Sequence, residues 1–356
     1  MSDNQNKFLA FLKRKNIVFS AKRYGIDALS AMAQGLFASL LIGTIMSTLG
    51  DNLGISILSQ AGTFAKGVSG PAMAASIGYA LQAPPLVLFS LIAVGGAANE
   101  LGGAGGPLAV LIVTIFAAEF GKAVSKETKV DILVTPFVTI FIGTVLSLLW
   151  APAIGAAASK VGSIIMWATE LQPFFMGILV SVIVGIALTL PISSAAICAA
   201  LSLTGLAGGA AVAGCCAQMV GFAVMSYKEN KVGGLVSQGL GTSMLQMGNI
   251  VKNPRIWIPP TIASAITGPI ATCVFHLEMN GPAVSSGMGT CGLVGQIGVY
   301  TGWIGDIANG IKDSITAFDW IGMTLICFVL PAILSFVICE FLRKINWIKE
   351  NDLKLD

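Results

Sequence analysis

The sequence predicts an all-α polytopic membrane protein, with about 8–10 transmembrane helices, two further re-entrant or broken segments, and room for an inverted repeat. Three observations predict it. Hydrophobic residues fill 55% of the 356 positions and charged residues only 10%, where a typical soluble domain is about 25% charged. Mean hydropathy is +0.85. The stretches 67–99 and 171–227 contain no charge at all, and a bilayer-spanning helix needs roughly 20 such residues. A soluble core is excluded, because no soluble fold requires uncharged runs of that length.

In chain order, residues 1–23 form a basic tail with Lys7, Lys13, Arg14, Lys15, Lys22 and Arg23 against a single Asp3. The apolar run that follows, over 26–50, is too long for the core of a signal peptide and reads as the first membrane helix. Further apolar segments lie near 68–82, 84–98, 106–121, 132–150, 173–190, 195–207, 210–227, 232–251, 256–277 and 320–342. They are separated by Pro84-Pro85, by Pro191 with Ser193 and Ser194, and by Gly208-Gly209; Pro259 and Pro260 fall near the start of the tenth of these segments. One transmembrane transport domain is expected over 24–342, followed by a second basic tail, 343–356, with Arg343, Lys344, Lys349 and Lys354. Lys and Arg accumulate on the cytoplasmic side, so both termini are expected there and the number of full crossings is expected to be even. The base-rich loop "FGKAVSKETKVD" (120–131) points to the same face. The net charge of +3 comes largely from these tails and is no sign of a nucleic-acid partner.

Two stretches break the helical pattern. One is "GGAANELGGAGGP" (95–107), around Asn99 and Glu100; the other is the uncharged, glycine-rich run 279–305, which is expected to be a re-entrant hairpin. At membrane depth, irregular backbone survives only where protein buries it or where it lines a wet cavity. Each stretch follows a proline pair and an apolar helix, so the two are expected to be counterparts in duplicated halves, as in many secondary transporters.

An ionisable residue at membrane depth costs at least ~2.5–3.5 kcal/mol and needs a reason. Glu100 and Glu278 flank the two breaks. Together with Asn99, Gly105, His276, Asn280, Ser285 and Ser286 they form the candidate substrate-binding set: fixed polar groups beside exposed backbone, the pattern a polyhydroxy ligand requires. His276 is the single histidine, and its bland reading as a satisfied helix-end group stands beside ligand contact or proton exchange. Glu119, Glu170 and Asp306 lie nearer segment ends and are read as solvated. Gln218, Gln238, Gln246 and Asn249 are read as interhelical glue. Met219, Met244, Met247 and the seven cysteines are read as packing residues. No CxxC pair exists and one histidine cannot complete a Cys/His zinc site, so no metal and no cofactor are expected. No GxSxG, HExxH or P-loop motif is present, so no catalytic residue is named.

The stretches "GGAGGPLAVLIVTIFAAEFGKAVSKETKVDILVTP" (102–136), "LPISSAAI" (190–197) and "GPAVSSGMGTCGLVGQ" (281–296) resemble the membrane IIC-type proteins of the bacterial sugar phosphotransferase system. The resemblance is greater to the stand-alone branch that includes the perfringolysin regulator protein PfoR, and it runs from about residue 25 to 340. It implies a homodimer in the lipid bilayer of the bacterial cytoplasmic membrane, with one solute site per protomer and transport of a sugar by alternating access. In such systems separate IIA and IIB domains supply the phosphoryl group. This chain has none, so either a separate IIB protein exists or the solute moves without phosphorylation. The regulator branch implies a rival reading, a membrane sensor that binds solute without carrying it.

Overall fold

The computed structural model of the protein describes residues 2–355; the side chains of Asp3 and Lys7, named above in the basic tail, lie outside the described residues. It is helical throughout, as expected, and no strand is present among the described residues; a single β-bridge pairs Gly205 with Met279. The helices are α1 (Ser2–Arg14), α2 (Arg23–Asp51), α3 (Ser56–Gly67), α4 (Ser69–Ala80), α5 (Pro85–Gly102), α6 (Gly106–Val124), α7 (Asp131–Thr169), α8 (Pro173–Thr189), α9 (Ser194–Ala200), α10 (Gly205–Met225), α11 (Tyr227–Val236), α12 (Met247–Lys252), α13 (Ile258–Pro269), α14 (Val294–Ala308) and α15 (Ala317–Lys344). Among the described residues, five helical stretches are long and apolar enough to cross a membrane: α2, α5 with α6, α7, α10 and α15. The protein is therefore a multi-pass membrane protein. Helices α5, α6 and α8 begin with proline in the first turn, where the missing N–H leaves no bond unmade.

The chain divides into two compact units, one of residues 1–40 with 64–156 and one of residues 41–63 with 157–356. In the first unit α4 and α5 approach through Gly70 and Gly95. A Cβ on either glycine would lie 2.4 Å from the other's carbonyl oxygen, so small residues set this contact. Here the structure corrects the sequence reading. Helix α5 continues unbroken through Gly95, Gly96, Asn99 and Glu100, and only Gly103–Gly105 interrupts the α5–α6 hairpin. Packing across glycine compensates for its poor helix propensity. Helix α7 is also longer than expected, running 39 residues through Pro136 and Pro152. In a membrane setting, proline within a helix is tolerated where neighbouring groups satisfy the freed carbonyls.

In the second unit α8 packs against both α10 and α13 at backbone contact distance. A Cβ at Gly214 would lie 1.8 Å from the Ser181 carbonyl, and one at Gly268 would lie 2.1 Å from that of Gly177. Helix α10 is the axis of this unit: 21 residues, nearly all buried, and about 30 Å long at 1.5 Å per residue. Three chain reversals meet it. After α8 the chain turns at Leu190–Ser193 and α9 runs back, its first turn capped by Ser193. The apolar segment 232–251 is not one helix: the chain runs in through α11 and a π-helical turn, Ser237–Gly241, breaks at Thr242, and returns through Ser243–Gln246 and α12. The segment 279–305 is a hairpin with an irregular inward arm containing short 3-10 turns and α14 as the outward arm.

Candidate functional site

Helix α13 ends in a π-helical turn, Ile270–Val274, which delivers the chain to His276. His276 adopts a left-handed backbone, φ +46°, a conformation that costs a non-glycine residue about 1–2 kcal/mol. From there the chain is extended and alternates. Leu277 and Met279 are buried; His276, Glu278 and Asn280 are exposed on the other face. The buried side is locked to the start of α10. Met279 exchanges both backbone hydrogen bonds with Gly205, at 2.9 and 3.0 Å. The Leu277 carbonyl lies so close to Gly209 that a Cβ there would sit 1.7 Å from its oxygen.

The exposed side faces a cavity of 280 Å³ whose lining includes His276, Glu278, Asp306, Lys312 and Asp319 with the aromatic rings of Phe275 and Trp303. Asn280 braces its rim, donating to Glu278 Oε2 at 3.1 Å and to Asp306 Oδ2 at 2.9 Å. The second of these bonds also joins the two ends of the 279–308 hairpin, so the hairpin enters and leaves on one side. Lys312 Nζ donates to Asp319 Oδ1 at 2.8 Å and lies 5.9 Å from the Trp303 ring centre. Asp319 is itself held by Thr316, as the third residue of a helix-capping box. Three carboxylates thus face one ammonium and one imidazole over an aromatic floor. Such a cavity supplies fixed acceptors, a few donors and a flat apolar surface, which together suit a neutral polyhydroxy ligand.

Below the cavity the hairpin reaches deep into the unit. Ser286 Oγ donates to the Leu203 carbonyl and Ser194 Oγ to the Gly287 carbonyl, at 2.6 and 2.7 Å. At the tip, Gly289 abuts Cys215 and Cys216 in the middle of α10, and Thr290 Oγ1 lies 3.6 Å from Met219 Sδ. The other two reversals arrive at the same level. Thr189 at the end of α8 and Ser243 beside the Thr242 break share a 2.7 Å hydrogen bond, and Thr189 Oγ1 lies 3.4 Å from Gln218 Oε1. The turn Ser237–Gly241 packs on Cys291–Leu293. All three reversals therefore converge at residues 215–219 of α10, from opposite ends. Gln296 Oε1 in this region is buried without a hydrogen-bond partner.

Residues 26–355 match the family described as Phosphotransferase system, EIIC. The chain belongs to that family. The EIIC family is one of sugar-transporting membrane components, so the deep hairpins and the charged cavity belong to a protein of that kind. No curated protein and no solved structure matches the chain.

Of the residues singled out in the sequence, His276, Glu278 and Asn280 come together at the cavity, and Ser285 and Ser286 are buried in the inward arm beneath it. Asn99, Glu100 and Gly105 lie in the first unit, at the end of α5 and in the turn after it; Glu100 is exposed and Gly105 is buried against Ile154. Sequence reasoning set Asp306 aside, because charges near segment ends read as solvated, and did not single out Trp303, Lys312 or Asp319. The alternation His-Leu-Glu-Met-Asn over 276–280 was the available signal, since a period of two places one face on a core and the other in a cavity. Gln218 lies among side chains of other helices, accepting from Trp257 Nε1 at 2.9 Å. A second cavity, of 590 Å³ in the first unit, is lined by Phe8, Phe11, Phe19, Phe116 and Phe120 with Tyr24 and Glu119, which hydrogen-bond each other at 3.0 Å. It offers a polar solute almost nothing. Among the described residues no group of His, Cys, Asp and Glu could hold a metal ion.

Proposed function

We propose that this EIIC-family protein transports a small polar solute, a sugar or sugar derivative, by alternating access. The observation that carries the reading is the convergence of oppositely directed hairpins on one level of α10, with a charged cavity at the mouth of one of them. A solute held at Glu278, His276 and Asn280 would be passed between the hairpin tips, with Ser285 and Ser286 on the way. Asn99, Glu100 and Gly105, in the first unit, are retained as proposed substrate-binding residues. In this reading the protein works as a homodimer in the bacterial cytoplasmic membrane with both basic tails in the cytoplasm. A separate IIB protein supplies any phosphoryl group, as the family's chemistry requires. The charge balance of the cavity supports a neutral sugar as the bound form, because three carboxylates would repel a sugar phosphate.

The test is uptake of a panel of radiolabelled sugars into proteoliposomes holding the purified protein. Saturable uptake supports the transporter. Saturable binding of the same sugar without uptake, under every partner condition tried, would favour the sensor related to the perfringolysin regulator.

A further inference from the structure

The segment after α15 is seated on the hairpin 228–252, and every contact that seats it is specific. Asn230 Nδ2 and Gln246 Nε2 both donate to the Leu353 carbonyl, at 2.7 and 2.9 Å. Asn249 Nδ2 donates to the Lys354 carbonyl at 2.8 Å, and the Leu355 N–H returns a bond to Asn230 Oδ1 at 2.9 Å. Asn253 Nδ2 holds Asp352 Oδ2 at 2.7 Å and the Trp347 carbonyl at 3.0 Å. Leu353 and Ile348 are buried, and Arg255 lies 5.1 Å from the Trp347 ring centre. The segment is gripped by its backbone, in the way a protein grips a bound peptide.

The gripping amides also form a ladder of their own. Asn249 Nδ2 donates to Gln246 Oε1, Gln246 Nε2 to Gln238 Oε1, and Gln238 Nε2 to Ser226 Oγ, at 2.8, 2.8 and 2.7 Å. Each terminal NH2 of Asn249 and Gln246 thus spends one hydrogen inside the hairpin and one on the segment. If the segment leaves, the ladder keeps its internal bonds, the outward amide hydrogens and Asn230 Oδ1 turn to water, and the apolar seats of Leu353 and Ile348 are uncovered. A surface that stays intact with its occupant gone is suited to reversible docking.

We propose that this carboxamide row is a peptide-docking surface and that its resident occupant, residues 346–355, is a releasable plug closing the path from that side to the hairpin tip at Gly241–Ser243. The inference goes beyond the transport reading and does not rest on it, because the test below involves no solute.

Ser243 is buried. Of the seven cysteines only Cys273 is exposed, so Cys273→Ser with Ser243→Cys leaves one informative thiol and six buried ones that report unfolding. With a sulfonated maleimide, the thiol at position 243 should react slowly. It should react about tenfold faster after Leu353→Asp, or after Asn230→Ala with Asn249→Ala, which remove the buried anchor or three of the seating hydrogen bonds. Leu353→Cys in the Cys273→Ser background reports on the segment itself and should be slow until Asn230→Ala is added. The proposal is overturned if the thiol at 353 reacts at the rate of exposed Cys273 in the otherwise unaltered protein. It is equally overturned if Leu353→Asp leaves the reactivity at 243 unchanged while the six buried thiols stay silent.

Discussion

The α5–α6 hairpin and the 279–308 hairpin share a glycine-rich composition and a pair of polar residues beside the break, yet they use glycine for opposite ends. In the first, Gly70, Gly95 and Gly102 let helices touch, and the backbone leaves helical geometry only at Gly103–Gly105. In the second, Gly281, Gly287 and Gly289 let irregular and 3-10 backbone lie against α14, α9 and α10. The polar residues follow suit. Asn99 and Glu100 stand on the last turn of a regular helix, whereas His276, Glu278 and Asn280 share one face of an extended strand-like run over a cavity. Glycine content therefore marks close backbone approach in both places, but which backbone approaches is decided by the partner surface.

The sharpest way to break this comparison is to add one methyl group in each region. Gly209→Ala forces a Cβ against the Leu277 carbonyl, a backbone group pinned by the Gly205–Met279 bridge. It should cost about 3 kcal/mol or more, with loss of folded protein on size-exclusion chromatography. Gly96→Ala, in the α5 interior with only Pro71 at 3.9 Å, should instead stabilise by about 0.5–1 kcal/mol. Destabilisation by both substitutions to a similar degree would erase the distinction.

A second, smaller effect concerns the strained residue that opens the cavity edge. His276→Gly relieves the left-handed backbone and should raise the midpoint of thermal unfolding, by the equivalent of about 1 kcal/mol, while weakening solute binding. His276→Ala should weaken binding without that gain. If glycine and alanine behave alike in thermal unfolding, the backbone strain is not real.

Much of this architecture was legible in the sequence. The all-α membrane class followed from uncharged runs, the division between α4 and α5 from Pro84-Pro85, and the 279–305 hairpin from glycine within an uncharged stretch. The break at Thr242 was not legible. Residues 232–251 are uncharged throughout, and the broken backbone there is held by the side-chain ladder Gln238–Gln246–Asn249 together with the segment around Leu353, more than 100 residues away. The cavity's far wall was missed for a similar reason. Asp306 and Asp319 sit near helix ends with Lys312 in the loop between them, and tertiary contacts such as the Asn280–Asp306 bond and the Phe275–Phe318 ring contact bring them to Glu278.

The smallest predicted effect lies at the basic arm before α2. The hydrogen bond from Lys15, and then Arg14 at 2.8 Å, hold the Glu127 carboxyl below its ordinary value of 4.5. A carboxylate depressed in the folded state contributes stability that is fully present above that ordinary value and is lost as pH falls through the depressed one. Amide exchange in α1, corrected for intrinsic rate, should therefore be unchanged from pH 7 to 5 and should rise below about pH 4. Glu127 is exposed, so the change should be slight, and Glu127→Gln should remove it.

The central claim is that the Glu278 edge, with Asp306 and Lys312 opposite, holds the solute. Its most direct test is thermal stabilisation of the purified protein by a panel of neutral sugars, sugar phosphates, organic acids and nucleosides, with wild type beside Glu278→Gln, Asp306→Asn and Glu100→Gln. A bound sugar at a hundred times its Kd should stabilise wild type by about 2.7 kcal/mol. Glu278→Gln and Asp306→Asn should each lose roughly 10- to 150-fold in affinity at unchanged stability without ligand. A loss of the same size in Glu100→Gln would show that Glu100 matters to solute binding as much as the cavity does. Full stabilisation by the same sugar in both Glu278→Gln and Asp306→Asn would contradict the account, because the cavity would then be a surface feature and the solute would bind elsewhere.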